Sequence, residues 1–406
     1  MAQQAQLMLD RWQFGRAERA TDGAVAAPTL SLATDLSLLE REWREFEGIA
    51  ACTPFQTFDW LSQWQRCIGA KAGVTPAIIT GRQDGKLLCI LPLAAHRHGP
   101  LCQITFLGHA LCDYNAPLLA PDFSIQVPNA KLAALWKAAV ALLQHRFRYD
   151  LLLLDKMPEK IGRQPNPMRL LATNPHPSSA HAMALGDAWE KFYAAKRSSA
   201  TRRRDRTKRR KLAELGDLRF TTAEKPDDVR RTVETLIEQK SRWFQRMGIP
   251  NLFAVPEQKD FFLSLATSAR SLVHVSRLSV GPNSAAVNLG LLFRGCYYHV
   301  LASHDDGPAL RFGPGAAHLH DLMQFAIERG CKSFDFTIGD ESYKLDWSDS
   351  KLELYDHVSG RGASGYMAAT MIKAKLRAKR FIKKSRLIWN LVAKLRFILG
   401  RRGVAV

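Results

Sequence analysis

Apolar residues along this chain recur at two spacings, and the alternation between them divides it into two similar halves. In 36–49, Leu39, Trp43 and Phe46 fall on one helical face, and Trp60, Leu61, Trp64 and Ile68 do so again after Thr53-Pro54-Phe55-Gln56. The period then shortens. Segments 76–80 and 86–94, separated by Asp84-Gly85, predict a hairpin, and 105–108 and 116–120 predict short strands. Asn129 opens an amphipathic helix through Leu132, Leu135, Trp136, Val140 and Leu143, and 149–154 predicts a buried strand. The second half repeats this order. Strands are expected at 272–280, 286–293 and 296–302, then a helix from Ala316 carrying Leu319, Leu322, Met323, Ala326 and Ile327, then a strand at 333–336. Two copies of one αβ unit, with negligible identity between them, predict an internal structural duplication. Between the halves, 158–177 reads as a loop, 187–215 as one long helical stretch, and 221–248 as a helix ending in Lys240-Ser241-Arg242-Trp243-Phe244.

A chain of 406 residues accommodates about two or three domains. Hydrophobic residues at 46% and charged ones at 24% match a folded globular chain and exclude disorder as its main state. No apolar run approaches the ~20 residues needed to cross a bilayer. Residues 1–28 carry no basic start followed by an apolar block, so they read as a loose extension without a secretory signal. The cysteines at 52, 67, 89, 102, 112, 296 and 331 lack any CxxC spacing, which predicts reduced thiols, a cytoplasmic setting and no metal site. The expected division is an extension at 1–28, domains at 29–180 and 181–360, and a basic amphipathic tail at 361–406.

The net charge of +20 is concentrated in two segments. Residues 196–211 hold ten basic residues and one acid, and the chain after Asp356 holds thirteen basic residues and no acid. The first run lacks aromatic residues, so it offers no stacking platform for single strands. Three readings stay open for it: a solvated helix face, a surface for an anionic acceptor or lipid head groups, and a nucleic-acid contact. In the tail the charges alternate with Ile372, Leu376, Phe381, Ile382, Leu387, Ile388 and Trp389. That pattern fits an interfacial helix on an anionic membrane or a helix packed on the protein's own body.

Candidate chemistry concentrates in 297–347. Gly313-Pro314-Gly315 precedes the helix from Ala316, whose first free N–H groups and dipole suit a phosphate or pyrophosphate, although Pro314 supplies no N–H and a plain tight turn competes with an anion seat. Asp335 alternates with Phe334 and Phe336 and is a candidate base or acceptor-binding group; Asp340 and Glu341 are alternative bases. Tyr343 is a candidate acid, and Lys344 a partner of Asp335 or of an acidic acceptor. His304, Asp305 and Asp306 follow a strand and read as a base or as a solvated loop. No Ser/His/Asp or Cys/His order points to a covalent intermediate.

The motif 334–347, FDFTIGDESYKLDW, with Gly313-Pro314-Gly315 and a helix before it, resembles the signature of the CelD-like branch of the GNAT acyltransferase superfamily, associated with cellulose or exopolysaccharide biosynthesis. Arg202 to Gly216, Arg242-Trp243, Thr53-Pro54-Phe55-Gln56 with Trp60, Leu91-Pro92-Leu93, and Leu107-Gly108 with Asp113-Tyr114 extend the resemblance over about 36–357. It implies an α/β (α+β) fold of tandem GNAT-like domains, related to the FemAB-type transferases, each a mixed twisted sheet flanked by helices.

The resemblance also implies acetyl-CoA or another acyl-CoA as donor, held by Val300 and Leu301 of the central strand and by Gly313, Gly315 and Ala316. The family's Gln/Arg-x-x-Gly-x-Gly/Ala loop falls on Leu310-x-x-Gly313-x-Gly315, so the glycines match and the leading polar residue does not. Asp335, Glu341 and Tyr343 are the implied catalytic groups, and Asp113, Tyr114, Trp243 and Lys344 the acceptor contacts. The expected activity is direct acyl transfer to an envelope or exopolysaccharide-related glycan, sugar nucleotide or amine, at the inner face of the membrane. FemAB-like aminoacyl transfer from charged tRNA and a non-catalytic, membrane-docked adaptor are the alternatives.

Overall fold

A computed structural model describes residues 28–384. Residues 1–27 and the tail beyond 384, with Leu387, Ile388 and Trp389, lie outside the described residues. The chain forms two compact units, one running to Pro177 and taking back Glu353–Arg380, the other covering Ser178–Leu352 and resuming at Phe381.

The first unit is built on an eight-stranded sheet. Thr29–Ala33, Thr75–Gln83, Lys86–His98 and Leu101–Phe106 follow one another antiparallel. Leu101–Phe106 then pairs in parallel with Leu151–Pro158, which Leu354–Gly360 flanks antiparallel. Only the parallel step needs a crossover, and helix Asn129–Phe147 supplies it. Its Leu143 and Ala139 pack on Ile79, Leu93, Ile104, Leu152 and Leu154 of the sheet.

The second unit repeats this plan in seven strands. Leu218–Thr222, Val273–Val280, Asn283–Phe293 and Cys296–His304 are antiparallel in turn. Cys296–His304, the central strand, is parallel to Ser333–Ile338, which Ala180–Ala184 flanks antiparallel. Helix Pro314–Glu328 makes the crossover and buries Leu319, Leu322, Met323, Ala326 and Ile327 against Tyr297, Phe334 and Phe336. The expected duplication is therefore present, with the same strand order and the same single parallel pair in each copy.

Several boundaries differ from those expected. The stretch 187–215 is two helices, Trp189–Lys196 and Ser199–Glu214, because Ser198 leaves the helical conformation and its hydroxyl accepts the Thr201 N–H at 3.2 Å as an N-cap. Helix Pro226–Met247 starts late, with proline at its first position, and Leu218–Thr222 before it is an edge strand. The supposed loop 158–177 holds short strands at Lys160–Ile161, Gln164–Pro165 and Thr173–Pro175.

The largest difference concerns Leu354–Gly360, expected in the second domain but paired within the first unit's sheet. Asp356, 1% exposed, accepts the Lys156 N–H at 2.9 Å and the His176 ring nitrogen at 2.8 Å, which fixes the strand there. Helix Gly362–Lys384 follows directly, and its Ile372 and Leu376 pack with Leu151, Val358 and Ala369. For these two tail residues the structure agrees with the second of the two readings, a helix packed on the protein's own body.

That docking depends on close backbone approach. A methyl at Gly365 would lie 2.1 Å from the Asp150 carbonyl oxygen, whereas one at Gly48 would meet nothing within 4 Å. Gly365→Ala is accordingly expected to lower unfolding free energy by about 2 kcal/mol or more, as overpacking against backbone does. Gly48→Ala should be neutral or mildly stabilising. Urea midpoints of the two variants check this.

Candidate functional site

The central strand and Ser333–Ile338 pair only through Cys296–Tyr298 and Ser333–Asp335, and beyond that register they part. Two irregularities cause the parting. On the central strand the register slips between Leu289↔Leu301 and Leu291↔Tyr298, so that His299 and Val300 together oppose Gly290. On the other strand Ala180 pairs with Ile338 and Ala182 with Asp335, with Thr337 in the left-handed region at φ 59°. Bulges increase local twist and redirect a strand.

A β-branched residue adopts that conformation only when its surroundings hold it there. Here the Asp335 carboxylate accepts the Thr337 N–H at 2.7 Å, and the Thr337 hydroxyl donates to the His299 carbonyl at 3.4 Å. Asp335, 8% exposed, lies in the closed part of the sheet, opposite Tyr298. Burial first, and then the Asp335 charge, push the Cys296 thiol up to about 12. Asp335, expected as a base or acceptor-binding group, holds the strand's bend through this bond.

Strands that part leave carbonyls for other donors. The Lys344 ammonium donates to the Ile338 carbonyl at 2.8 Å and pairs with Glu341 at 3.0 Å. The Lys240 ammonium, from helix Pro226–Met247, donates to the Ala302 carbonyl at 3.1 Å and lies 4.8 Å from the centre of the Trp243 ring. Burial lowers the Lys240 pKa; Glu341 opposes that shift and Lys344 adds to it. Burial, then Glu341, raises the Tyr343 pKa, so its hydroxyl keeps its proton at neutral pH. His299 lies against Phe334, Phe336 and Tyr343. Two lysines, one carboxylate and one phenol therefore collect where the strands open.

Sequence reasoning picked out Lys344, Glu341, Tyr343 and Trp243 but missed Lys240 and His299. The one signal for Lys240 in the sequence is its place on the face of helix Pro226–Met247 that carries Val229, Val233, Leu236 and Ile237. Asp305 and Asp306 pair with Arg242 at 3.0 and 3.4 Å, and Asp340 meets the His181 ring at 3.2 Å. Asp113 and Tyr114 belong to the first unit, where Tyr114 is 4% exposed and packs edge-on against Phe55.

The glycine loop lies at the far end of the central strand. Gly313 is left-handed at φ 70° and its carbonyl accepts the N–H groups of both Ala316 and Ala317. With Pro314 lacking an N–H, Gly315 is the main open donor of this first turn. A methyl built on Gly315 would touch the His304 ring at 3.5 Å, which joins the loop to the strand carrying Val300 and Leu301. Behind the strand a buried polar chain runs from Thr222 through His274 and Tyr297 to Asn288, whose amide donates to the Leu301 carbonyl. Gly290 makes room for it, since any side chain there would meet the Tyr297 hydroxyl.

Residues 199–345, which lie within the second unit, match the acetyltransferase (GNAT) domain family. No curated protein matches the chain by sequence. Among solved structures, FemX shares the fold at a TM-score of 0.54 and 11% identity, over 79% of this chain and 96% of FemX. A conserved protein of unknown function from Bacteroides thetaiotaomicron aligns at 0.49 and 10% identity, over 81% of this chain and 99% of its own. A tandem GNAT protein from the clavulanic acid biosynthesis pathway aligns at 0.40 and 11%, over 77% of this chain and 98% of its own. The chain has a tandem GNAT-like fold. No helix among the described residues is long and apolar enough to cross a membrane.

Burial holds the rings of His274, His299 and His318 neutral, each lowered to about 3; Arg329 adds to the first effect, Lys344 and Lys240 to the second, and the other two histidines to the third. Below the ordinary histidine pKa of about 6.5 the unfolded chain binds protons that the folded one refuses. Stability is therefore complete above that pH and declines as pH falls towards 3, by on the order of 1 kcal/mol per pH unit for each ring. Urea unfolding at pH 7.5 and pH 5 should show this loss, with a shallower pH slope for His318→Gln. Equal slopes in the two proteins would contradict it.

Proposed function

We propose that the second unit moves an acyl group from an acyl-CoA thioester directly onto an amine or hydroxyl of an envelope or exopolysaccharide-related acceptor. The observation that carries this reading is the parted strand pair, with its lysines and Glu341 at the opening and a helix-opening glycine loop at the end of the central strand. The acceptor class rests on the resemblance of the 334–347 motif to the CelD-like branch.

The thioester lies in the gap beside Val300 and Leu301, where a bulge leaves backbone N–H groups outside the ladder to hold the oxyanion. Glu341, paired with Lys344 at 3.0 Å, takes the proton of the attacking group. The new C–N or C–O bond forms as the C–S bond breaks. Tyr343, protonated at neutral pH, then delivers a proton to the departing thiolate. Lys344 and Trp243 contact the acceptor, and Asp335 serves indirectly through Thr337. The donor phosphates meet the Gly315 N–H and the helix dipole, a thin cradle for a pyrophosphate.

A second reading, aminoacyl transfer from charged tRNA, is favoured by the exposed Arg203, Arg204, Arg206 and Lys208. Calorimetry with acetyl-CoA separates the two. Micromolar binding to the native chain, lost in Gly315→Trp, is the expected result. No binding of any acyl-CoA together with tight, salt-sensitive tRNA binding would favour the second reading.

A further inference from the structure

Beside the glycine loop, the basic helix Ser199–Glu214 borders a cavity of about 300 Å³. Helix Trp189–Lys196 and the outer face of helix Pro314–Glu328, with Gly313, Ala316 and His320, form the other walls. Arg202, Arg206 and Lys208 line it. The next basic residues along the helix have acidic partners: Arg209 pairs with Asp321 at 2.9 Å, and Lys211 with Glu214 at 2.8 Å. Among the described residues no carboxylate forms an ion pair with Arg202, Arg206 or Lys208. The Arg202 Nε is buried with no hydrogen-bond partner, an arrangement that ordinarily costs stability. Asp205, also at the cavity, is engaged by the Tyr193 hydroxyl at 2.6 Å.

This helix is also unfavourable on its own terms. Arg202 and Arg206, Arg204 and Lys208, and Arg206 and Arg210 are like charges four residues apart, each pair weakening the helix. A bound anion would relieve both the repulsion and the unpartnered guanidinium. The opposite wall carries aromatic rings: Trp189 stacks on Tyr193 with centroids 4.9 Å apart, and His320 lies 5.3 Å from Tyr193. Cations that seek phosphate beside an aromatic wall suit a phosphorylated nucleotide.

We infer that this cavity takes the phosphorylated nucleotide end of the acyl donor, with Arg202 and Arg206 on its phosphates and Trp189 beside its base. The inference rests on the acyl-CoA reading above. It also accounts for Leu310: the loop lacks its leading polar residue, and the neighbouring helix supplies the charge instead.

The test is calorimetric titration of the whole chain with coenzyme A and, separately, with adenosine 3′,5′-bisphosphate. The double variant Arg202→Gln/Arg206→Gln should bind both probes about tenfold or more weakly. Arg203→Gln/Arg210→Gln removes the same charge outside the cavity lining and should change affinity far less, with melting temperatures no lower than the native chain's showing that both variants fold. Equal weakening by the two variants, or none by the first, overturns the inference; if the native chain binds coenzyme A in that case, the donor reading stands. Bisphosphate binding that depends on Arg202 and Arg206, without coenzyme A binding, removes the donor reading and leaves a nucleotide site. Absence of binding by both probes removes both.

Discussion

The second unit depends on one backbone arrangement: two parallel strands that share a core at one end and separate at the other. Separation leaves backbone groups outside the ladder, and it persists because side chains hold it from both sides. Asp335 fixes the left-handed Thr337, while Asn288 holds the Leu301 carbonyl. Lys344 and Lys240 then take carbonyls at the opening. The lysine charges lie beside Glu341, so the groups that stabilise the gap also set the electrostatics within it. Fold and site are in this sense one construction.

The first unit shows what the same plan does with a different filling. Its parallel pair also registers over only three residues, Gln103–Thr105 against Leu151–Leu153. Past that point Lys156, left-handed at φ 54°, donates through its ammonium to the carbonyls of His109 and Cys112. Asp155 is held below its ordinary pKa despite its burial, which opposes the shift, because His109 and Lys156 lie beside it. The chain thus ties that gap with its own side chain, and this unit's crossover helix begins at Asn129 without a glycine loop. Duplication of the fold has not duplicated the side chains at the opening.

Much of this was legible in residue order. The strands and crossover helices follow from apolar spacing, because each element buries one face, and the parallel step follows from a strand–helix–strand order. Gly313 and Gly315 are recognisable because a helix must start at that point. What spacing did not reveal depends on partners distant in sequence. Leu354–Gly360 falls by its place in the chain within the second domain expected at 181–360, and only its pairing with Leu151–Pro158 and the buried contacts of Asp356 with Lys156 and His176 show otherwise. Asp335 looked catalytic because it alternates with aromatic residues; its local bond to Thr337 is a matter of backbone conformation that residue type does not announce. Lys240 was passed over because a lysine on a helix is usually solvated.

The proposed seat of the acyl donor is the gap between Cys296–His304 and Ser333–Ile338. A crystal structure of the chain with coenzyme A tests it most directly. The pantetheine arm is expected between these strands beside Val300 and Leu301, and the pyrophosphate at Gly315. Coenzyme A seated in the first unit, or on the second unit away from the parted strands, would contradict it.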